Sequence, residues 1–219
     1  TTQSVAVTVR PVPVMSSSAT QTICSSGTIN ISLSSDVASS YTWVAADNVN
    51  TTGESTTLQS SSTLNNTLTN ISTVAQNVIY SVTPTATIGG CVGAIQTVMV
   101  TVNPTPAMTS ATSATICSGG TVNIQLTSNV ASNYVWNAAN NVNTTGEYTS
   151  SQFSSVLNNT IGNTSALSQS VIYTVTPTST TGSCLGTSQT VTVTVNPEPL
   201  MISSSSAVIC SGGTVNISL

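Results

Sequence analysis

The 219-residue sequence contains no lysine and no histidine, and its only basic residue is Arg10. Five acidic residues bring the formal net charge to −4, and charged residues make up only 3% of the chain. A Ser-His-Asp triad or a Ser-Lys dyad cannot be built, because each needs a base that the chain lacks. Nucleic acid is also excluded as a partner, since lysine and arginine are needed to neutralise phosphates. The composition therefore predicts a protein that is not an enzyme.

Long apolar runs are also missing. No stretch of 18 apolar residues occurs, so this segment is not expected to insert into a membrane. Serine and threonine are abundant instead, with 79 of the 219 residues. The apolar residues, 38% of the chain, are rich in valine and isoleucine and alternate with hydroxyl residues. Alternation with a period of two is typical of half-buried β-strands, so we expect an all-β fold and not a disordered stalk.

A period of 93 residues organises the chain. Residues 19–111 align without a gap with residues 112–204, with 57 identities in 93 positions. This self-similarity predicts a tandem array. Residues 1–18 are then expected to be the tail of a preceding repeat, and residues 205–219 the start of a following one. The five cysteines follow the same period, at Cys24, Cys91, Cys117, Cys184 and Cys210.

Each repeat contains short alternating segments separated by turn residues. Roughly seven such strands, with a central tryptophan and a late tyrosine, predict an immunoglobulin-like β-sandwich. Trp43 and Tyr80 are expected to anchor the core of the first repeat, and Trp136 and Tyr173 that of the second. An exposed tryptophan that stacks on sugars is the alternative. In the first repeat the segments read as strands are 28–34, 40–46, 62–70, 77–84 and 96–104.

The motifs "ICSGGTVNI", "YVWNA", "VIYTVTPTSTTGSCLG" and "TVTVTVNP" together resemble the PKD-like and immunoglobulin-like repeats of giant Bacteroidetes surface proteins. The resemblance covers essentially the whole chain. The "WxFGDG" signature of the PKD domain proper is replaced by "WVAADN" and "WNAANN". The resemblance implies PKD-like β-sandwich repeats, export by the type IX secretion route, a place at the cell surface, and service in adhesins, some of them linked to gliding motility.

No metal or cofactor is expected. Asp36 and Asp47 become Asn129 and Asn140 in the second repeat, whereas calcium sites normally need several carboxylates in one loop. Two cysteines per repeat without histidine do not suggest a zinc site.

Regular cysteines in an exported β-array indicate disulfides. One pairing lies within the repeats, as Cys24–Cys91 and Cys117–Cys184. The other joins neighbouring repeats, as Cys24–Cys184, while Cys91 and Cys117 pair with repeats beyond this sequence. Either pairing leaves Cys210 without a partner within the sequence. The predicted strands favour the second pairing. They place Cys24 and Cys91 at opposite poles, about 33 Å apart for a ten-residue strand, while disulfide Cα atoms lie about 4.4–6.8 Å apart.

Two functions remain open. The leading one is a structural repeat segment of an extracellular adhesin stalk or surface filament, with rod-like geometry favoured by the proline-containing joints at 103–106 and 196–199. Its partners would be neighbouring repeats, lateral copies in a filament, and a surface or glycan ligand held by another domain. The alternative is a glycan-binding module that uses the recurring loop "NVNTTGE", through Asn50 and Asn143. A simple hairpin turn also explains that loop.

Overall fold

The computed structural model describes residues 2–203 and 205–218. The described residues form strands, turns and loops, and none of them lies in a helix that could cross a membrane. The all-β prediction is confirmed. The outer limits expected for the repeats at residues 1, 204 and 219 lie outside the described residues.

The first repeat contains ten strands within its fully described residues. The two longest, β9 and β10, are the segments with the strictest alternation in the sequence. The strands are β1 (Thr20–Cys24), β2 (Gly27–Thr28), β3 (Ile31–Ser32), β4 (Ser39–Ala45), β5 (Thr51–Thr52), β6 (Gln59–Ser60), β7 (Thr63–Leu64), β8 (Thr67–Asn70), β9 (Gln76–Ala86) and β10 (Gln96–Asn103).

One sheet of the first repeat has the order β1-β10-β9-β4-β6. Its strands are antiparallel except for β1, which runs parallel to β10. Shorter pairings, β2-β8-β5 and β3-β7, supply residues from the other side to the same hydrophobic core. The strict alternation of β10 explains the arrangement: Val98, Val100 and Val102 are fully buried, while Met99 is 38% exposed. Burial of each valine contributes about 1.5–3 kcal/mol.

The second repeat builds the same architecture, with a sheet of order β11-β19-β18-β14 and the short pairings β12-β17-β15 and β13-β16. The counterpart of β6 is reduced to a single bridge between Trp136 and Gln152. The strands are β11 (Ser113–Cys117), β12 (Gly120–Thr121), β13 (Ile124–Gln125), β14 (Ser132–Ala138), β15 (Thr144–Thr145), β16 (Val156–Leu157), β17 (Thr160–Asn163), β18 (Gln169–Ser179) and β19 (Gln189–Asn196).

Contacts between Cα atoms divide the chain into two compact units. The first contains the residues up to Ser110 together with Leu126–Val135 and Thr176–Ser188. The second contains Ala111–Gln125, Trp136–Val175 and the residues from Gln189 onward. The first unit therefore includes the first sandwich, the start of β14 with the loop before it, and the end of β18 with the loop after it.

The predicted strand 62–70 is broken in the structure into β7 and β8. The break falls at Asn66, whose Oδ1 accepts a hydrogen bond from the Tyr80 hydroxyl at 3.0 Å. The predicted strand 28–34 is likewise split into β2 and β3. The same break separates β16 from β17 in the second repeat, although the Tyr173 hydroxyl there has no hydrogen-bond partner. Alternation alone therefore presents as continuous a segment that is interrupted in both repeats.

Candidate functional site

The candidate functional site is the joint between the repeats, and a disulfide crosses it. Cys24 is bonded to Cys184, with Cα atoms 5.6 Å apart and a sequence separation of 160. Cys24 ends β1, where it pairs with Asn103 at the end of β10. Cys184 is fully buried and follows β18. Of the two pairings that the sequence left open, the structure contains the inter-repeat one, and Cys184 is not available to Cys117.

Cys24 and Cys91 lie at opposite ends of β10, because Cys24 pairs with its last residue and Cys91 lies in the loop before its first. The strand has eight residues. At about 3.3 Å per residue its ends are roughly 25 Å apart, which no disulfide spans. Cys91, Cys117 and Cys210 carry free thiols; Cys91 is half-buried, and the other two are exposed.

Hydrogen bonds fix the loop that presents Cys184. Its N–H donates to the Ser179 hydroxyl at 3.0 Å, and the Ser179 N–H donates back to the Cys184 carbonyl at 2.9 Å. The Thr180 N–H donates to the Ala131 carbonyl at 2.9 Å. These hydrogen bonds hold the loop to the second repeat independently of the disulfide with Cys24.

The same loop lies tightly against the end of the first sandwich. Gly182 has φ +74°, and a Cβ built on it would lie 2.0 Å from Asn103 Nδ2. Both the left-handed backbone and the close approach require glycine. Asn103 itself is only 4% exposed. The amide of Asn103 thus fills the space directly below the loop.

The connecting segment 103–106 does not behave as a free tether, because Pro104 and Pro106 are buried. A Cβ on Gly186 would lie 2.3 Å from the Pro106 carbonyl oxygen. Two reciprocal bonds continue the attachment: Ala107 N–H donates to Asn129 Oδ1 at 2.8 Å, and Asn129 N–H donates to the Ala107 carbonyl at 3.0 Å. Packing and hydrogen bonds therefore hold the chain as it enters the second repeat.

The sequence identified the two cysteines and the segment 103–106 of this joint, but not the glycines of the loop that carries Cys184. Gly182 and Gly186 have counterparts 93 positions earlier, Gly89 and Gly93, so recurrence could have marked them. Asn103 recurs as Asn196, although Arg10 stands at the equivalent position of residues 1–18.

The four predicted anchor residues are buried. Trp43 and Trp136 are 2% and 1% exposed, so neither indole offers a face to a sugar. Tyr80 and Tyr173 are fully buried, and each packs edge-on to the tryptophan of its repeat, with ring centroids 5.8 Å apart. Burial raises the pKa of both tyrosines, and a nearby carboxylate, Glu54 or Glu147 respectively, raises each pKa further.

The predicted ligand loop is held in place by hydrogen bonds between its own residues. Asn48 Oδ1 accepts from the Asn50 N–H at 3.0 Å, and the Asn48 carbonyl accepts from the Thr51 N–H at 2.9 Å. Gly53 adopts φ +99° against the Thr67 carbonyl. The second repeat reproduces these bonds around Asn143. Asn50 and Asn143 are exposed, and ligand binding by them stays a prediction. Among the described residues, no cluster of three or more possible metal ligands occurs.

The sequence model of a family described as the PKD-like domain matches residues 21–106 and 114–199. No curated protein matches the chain. The solved structure of the insect immune protein hemolin is similar, with 14% identity over 85% of this chain and 47% of that chain and a TM-score of 0.38. This chain thus spans about half the length of hemolin. The titin fragment I67–I69 has 10% identity over 86% of this chain and 66% of its own, with a TM-score of 0.39. Mouse cadherin-23 EC22–24 has 8% identity over 85% and 64%, with a TM-score of 0.33.

Proposed function

The chain belongs to the PKD-like domain family, with two tandem domains, and we propose that these domains form a load-bearing structural segment of an extracellular adhesin stalk or surface filament. The observation that carries the proposal is the disulfide between Cys24 and Cys184, which ties one repeat covalently to the next. The buried joint at Asn103, Pro104 and Pro106 supports it, because a swivelling linker would leave these residues exposed.

A disulfide also supports the extracellular location, since such bonds persist in oxidising compartments. An origin in a Bacteroidetes adhesin, export by the type IX route and a link to gliding rest on the sequence resemblance and are part of the proposal. The rod-like shape is a further part, to be checked by small-angle scattering of the oxidised chain.

Single-molecule pulling on the two chain ends tests the load-bearing role. The disulfide takes the 160 positions between Cys24 and Cys184 out of the stretched path. At about 3.3–3.6 Å per residue, the oxidised chain should extend roughly 550 Å less than the reduced chain. A Cys184→Ser variant should extend as far as the reduced chain under both conditions. Equal extension of the oxidised and reduced wild-type chains contradicts the proposal.

Glycan binding is the second candidate, and it is favoured by one observation: Asn50 and Asn143 are exposed at equivalent places in two identical loops. A glycan array probed with the chain tests it. Binding that is lost in the Asn50→Ala, Asn143→Ala double variant supports a binding module. The matched control replaces Val49 and Val142, 83% and 88% exposed in the same loops, with alanine. Loss of binding in that control as well would contradict a specific role for the asparagines.

A further inference from the structure

One end of the first repeat, the end that carries Cys91, has the features that the second repeat presents at the joint around Cys184. We infer that this pole, formed by residues 10–15, 37–38 and 86–92, is a docking surface for another copy of the same repeat. The cysteine of that copy at the position of Cys24 bonds Cys91, and Cys117 bonds a following copy in the same way. This inference rests on one part of the proposed function, the tandem array of repeats. It does not depend on a role in adhesion.

The loop around Cys91 already has the conformation of the loop around Cys184. Ala86 N–H donates to the Cys91 carbonyl at 2.9 Å, as Ser179 N–H donates to the Cys184 carbonyl at 2.9 Å. The residue directly after each cysteine forms an isolated β-bridge, Val92 with Thr85 and Leu185 with Thr178. Cys91 is therefore presented as Cys184 is, but in this chain its thiol is free.

The opposite pole shows the complementary match. Cys117 ends β11 and pairs with Asn196, just as Cys24 ends β1 and pairs with Asn103. In each case the N–H of the next residue donates to the asparagine carbonyl at 2.8 Å. Each repeat therefore carries a strand-end cysteine and a loop cysteine, which can each bond a neighbouring repeat. Of the five cysteines in this chain, Cys24 and Cys184 are bonded and the other three are free.

The chain that leads into the first repeat is seated as in the occupied joint. Val14 N–H donates to Asp36 Oδ1 at 2.8 Å, and Asp36 N–H donates to the Val14 carbonyl at 3.0 Å. These lengths equal those of the pair formed by Ala107 and Asn129. A Cβ on Gly93 would lie 2.3 Å from the Pro13 carbonyl oxygen, the distance found for Gly186 at the occupied joint. The chain that enters the first repeat therefore makes the same contacts as the chain at the occupied joint, although Cys91 is not bonded.

Exposure shows what the partner would cover. Cys91 is half-buried, whereas its counterpart in the occupied joint, Cys184, is fully buried. Arg10 is exposed, whereas its counterpart Asn103 in the occupied joint is 4% exposed. The occupant is assigned as a copy of this repeat because the equivalent surface in this chain already holds one.

Bond formation removes two protons and two electrons from the two thiols. A small disulfide such as oxidised glutathione accepts them by thiol–disulfide exchange and leaves as two thiols.

The test extends the full chain in phase with a copy of residues 112–204 inserted between Ser18 and Ala19. After refolding with oxidised and reduced glutathione, non-reducing peptide mapping should find Cys91 bonded to Cys117 of the inserted copy, beside Cys24–Cys184. Alkylation of Cys91 should be lost relative to the unextended chain. A second extension, with a copy of residues 19–111 inserted between Ser204 and Ser205, should bond the original Cys117 to Cys91 of that copy.

Cys91→Ser in the first extended chain is the matched control, and it should remove the new bond while leaving Cys24–Cys184. The Cys24–Cys184 bond also reports correct folding of the two original repeats. If Cys91 stays fully alkylated while Cys24–Cys184 forms, the inference is wrong, although the load-bearing function survives. Pairing of Cys91 with Cys24 would overturn both.

Discussion

Gly182 lies so close to Asn103 that a Cβ on the glycine would come within 2.0 Å of the asparagine amide nitrogen. The loop that carries Cys184 can therefore settle on the first sandwich only if this position has no side chain. The same loop position in the first repeat, Gly89, has φ +88° but faces the flexible side chain of Arg10, with the nearest carbon at 3.0 Å. The two glycines thus share a backbone conformation but have different neighbours.

Gly182→Ala is expected to destabilise the chain more than Gly89→Ala. Both variants pay about 1–2 kcal/mol for a left-handed backbone, but only Gly182→Ala must also displace a buried amide, at about 1–3 kcal/mol more. Urea unfolding of the oxidised chains measures the difference, and peptide mapping reports whether Cys24–Cys184 still forms. Equal losses of stability in the two variants would show that the contact with Asn103 has no energetic weight.

The central strands could be predicted from the sequence because local alternation determines them. The segments expected at 77–84 and 96–104 appear as Gln76–Ala86 and Gln96–Asn103. The strand Thr20–Cys24 was not predicted. It is stabilised by parallel pairing with β10, almost eighty positions away, and no local pattern encodes such a pairing.

The joint was only partly predictable for a similar reason. The cysteine spacing and the order of the strands were enough to favour Cys24–Cys184, because they place Cys24 and Cys91 at opposite poles. The contact between Gly182 and Asn103 depends on how a loop of one repeat meets a strand end of another. Both residues recur with the 93-residue period, as Gly89 and Asn196, but recurrence alone does not say that they meet across the joint.

The two core tryptophans differ in their polar contacts, which predicts unequal costs of substitution. Trp136 Nε1 donates to the Ser154 carbonyl at 3.0 Å, whereas the buried Trp43 Nε1 has no partner. Trp136 also stacks on Tyr148, with ring centroids 6.2 Å apart. Trp136→Phe should therefore cost about 1–2 kcal/mol more than Trp43→Phe.

Urea unfolding of the two oxidised variants measures this difference. Replacement of either tryptophan with alanine serves as the control and should cost about 3–5 kcal/mol at both sites. A Trp43→Phe variant that loses as much stability as Trp136→Phe would contradict the assigned hydrogen bond.

The buried Asn70 is expected to be one of the most sensitive polar positions of the first repeat. Its Nδ2 donates to the Val74 and Val102 carbonyls at 2.7 and 2.8 Å, and its Oδ1 accepts from the Ser72 N–H at 2.8 Å. Asn70→Leu keeps the branched shape of the side chain but leaves these groups without partners, at about 1–3 kcal/mol. Gln59→Leu, at the edge strand β6, is the control and should be nearly neutral. A similar loss of unfolding free energy in both variants would contradict the role given to Asn70.

Stability at alkaline pH should depend on the two buried tyrosines. Burial, reinforced by Glu54 or Glu147, raises the pKa of Tyr80 and Tyr173 in the folded state. The folded chain therefore retains protons that the unfolded chain releases above its ordinary tyrosine pKa of about 10. The stabilisation is fully present below about pH 10 and is lost as the pH rises toward the higher folded-state pKa.

Tyr173→Phe isolates this effect, because the Tyr173 hydroxyl has no hydrogen-bond partner, whereas the Tyr80 hydroxyl donates to Asn66. At neutral pH, Tyr173→Phe should change the unfolding free energy little, and Tyr80→Phe should lower it by about 1 kcal/mol. Above pH 10 both variants should lose stability less steeply than the wild-type chain, since each has one fewer buried group to ionise. Urea unfolding at a series of pH values, followed by tryptophan fluorescence, gives both quantities. Parallel alkaline losses in the wild-type chain and in the Tyr80→Phe, Tyr173→Phe double variant would show that these tyrosines do not set the alkaline limit.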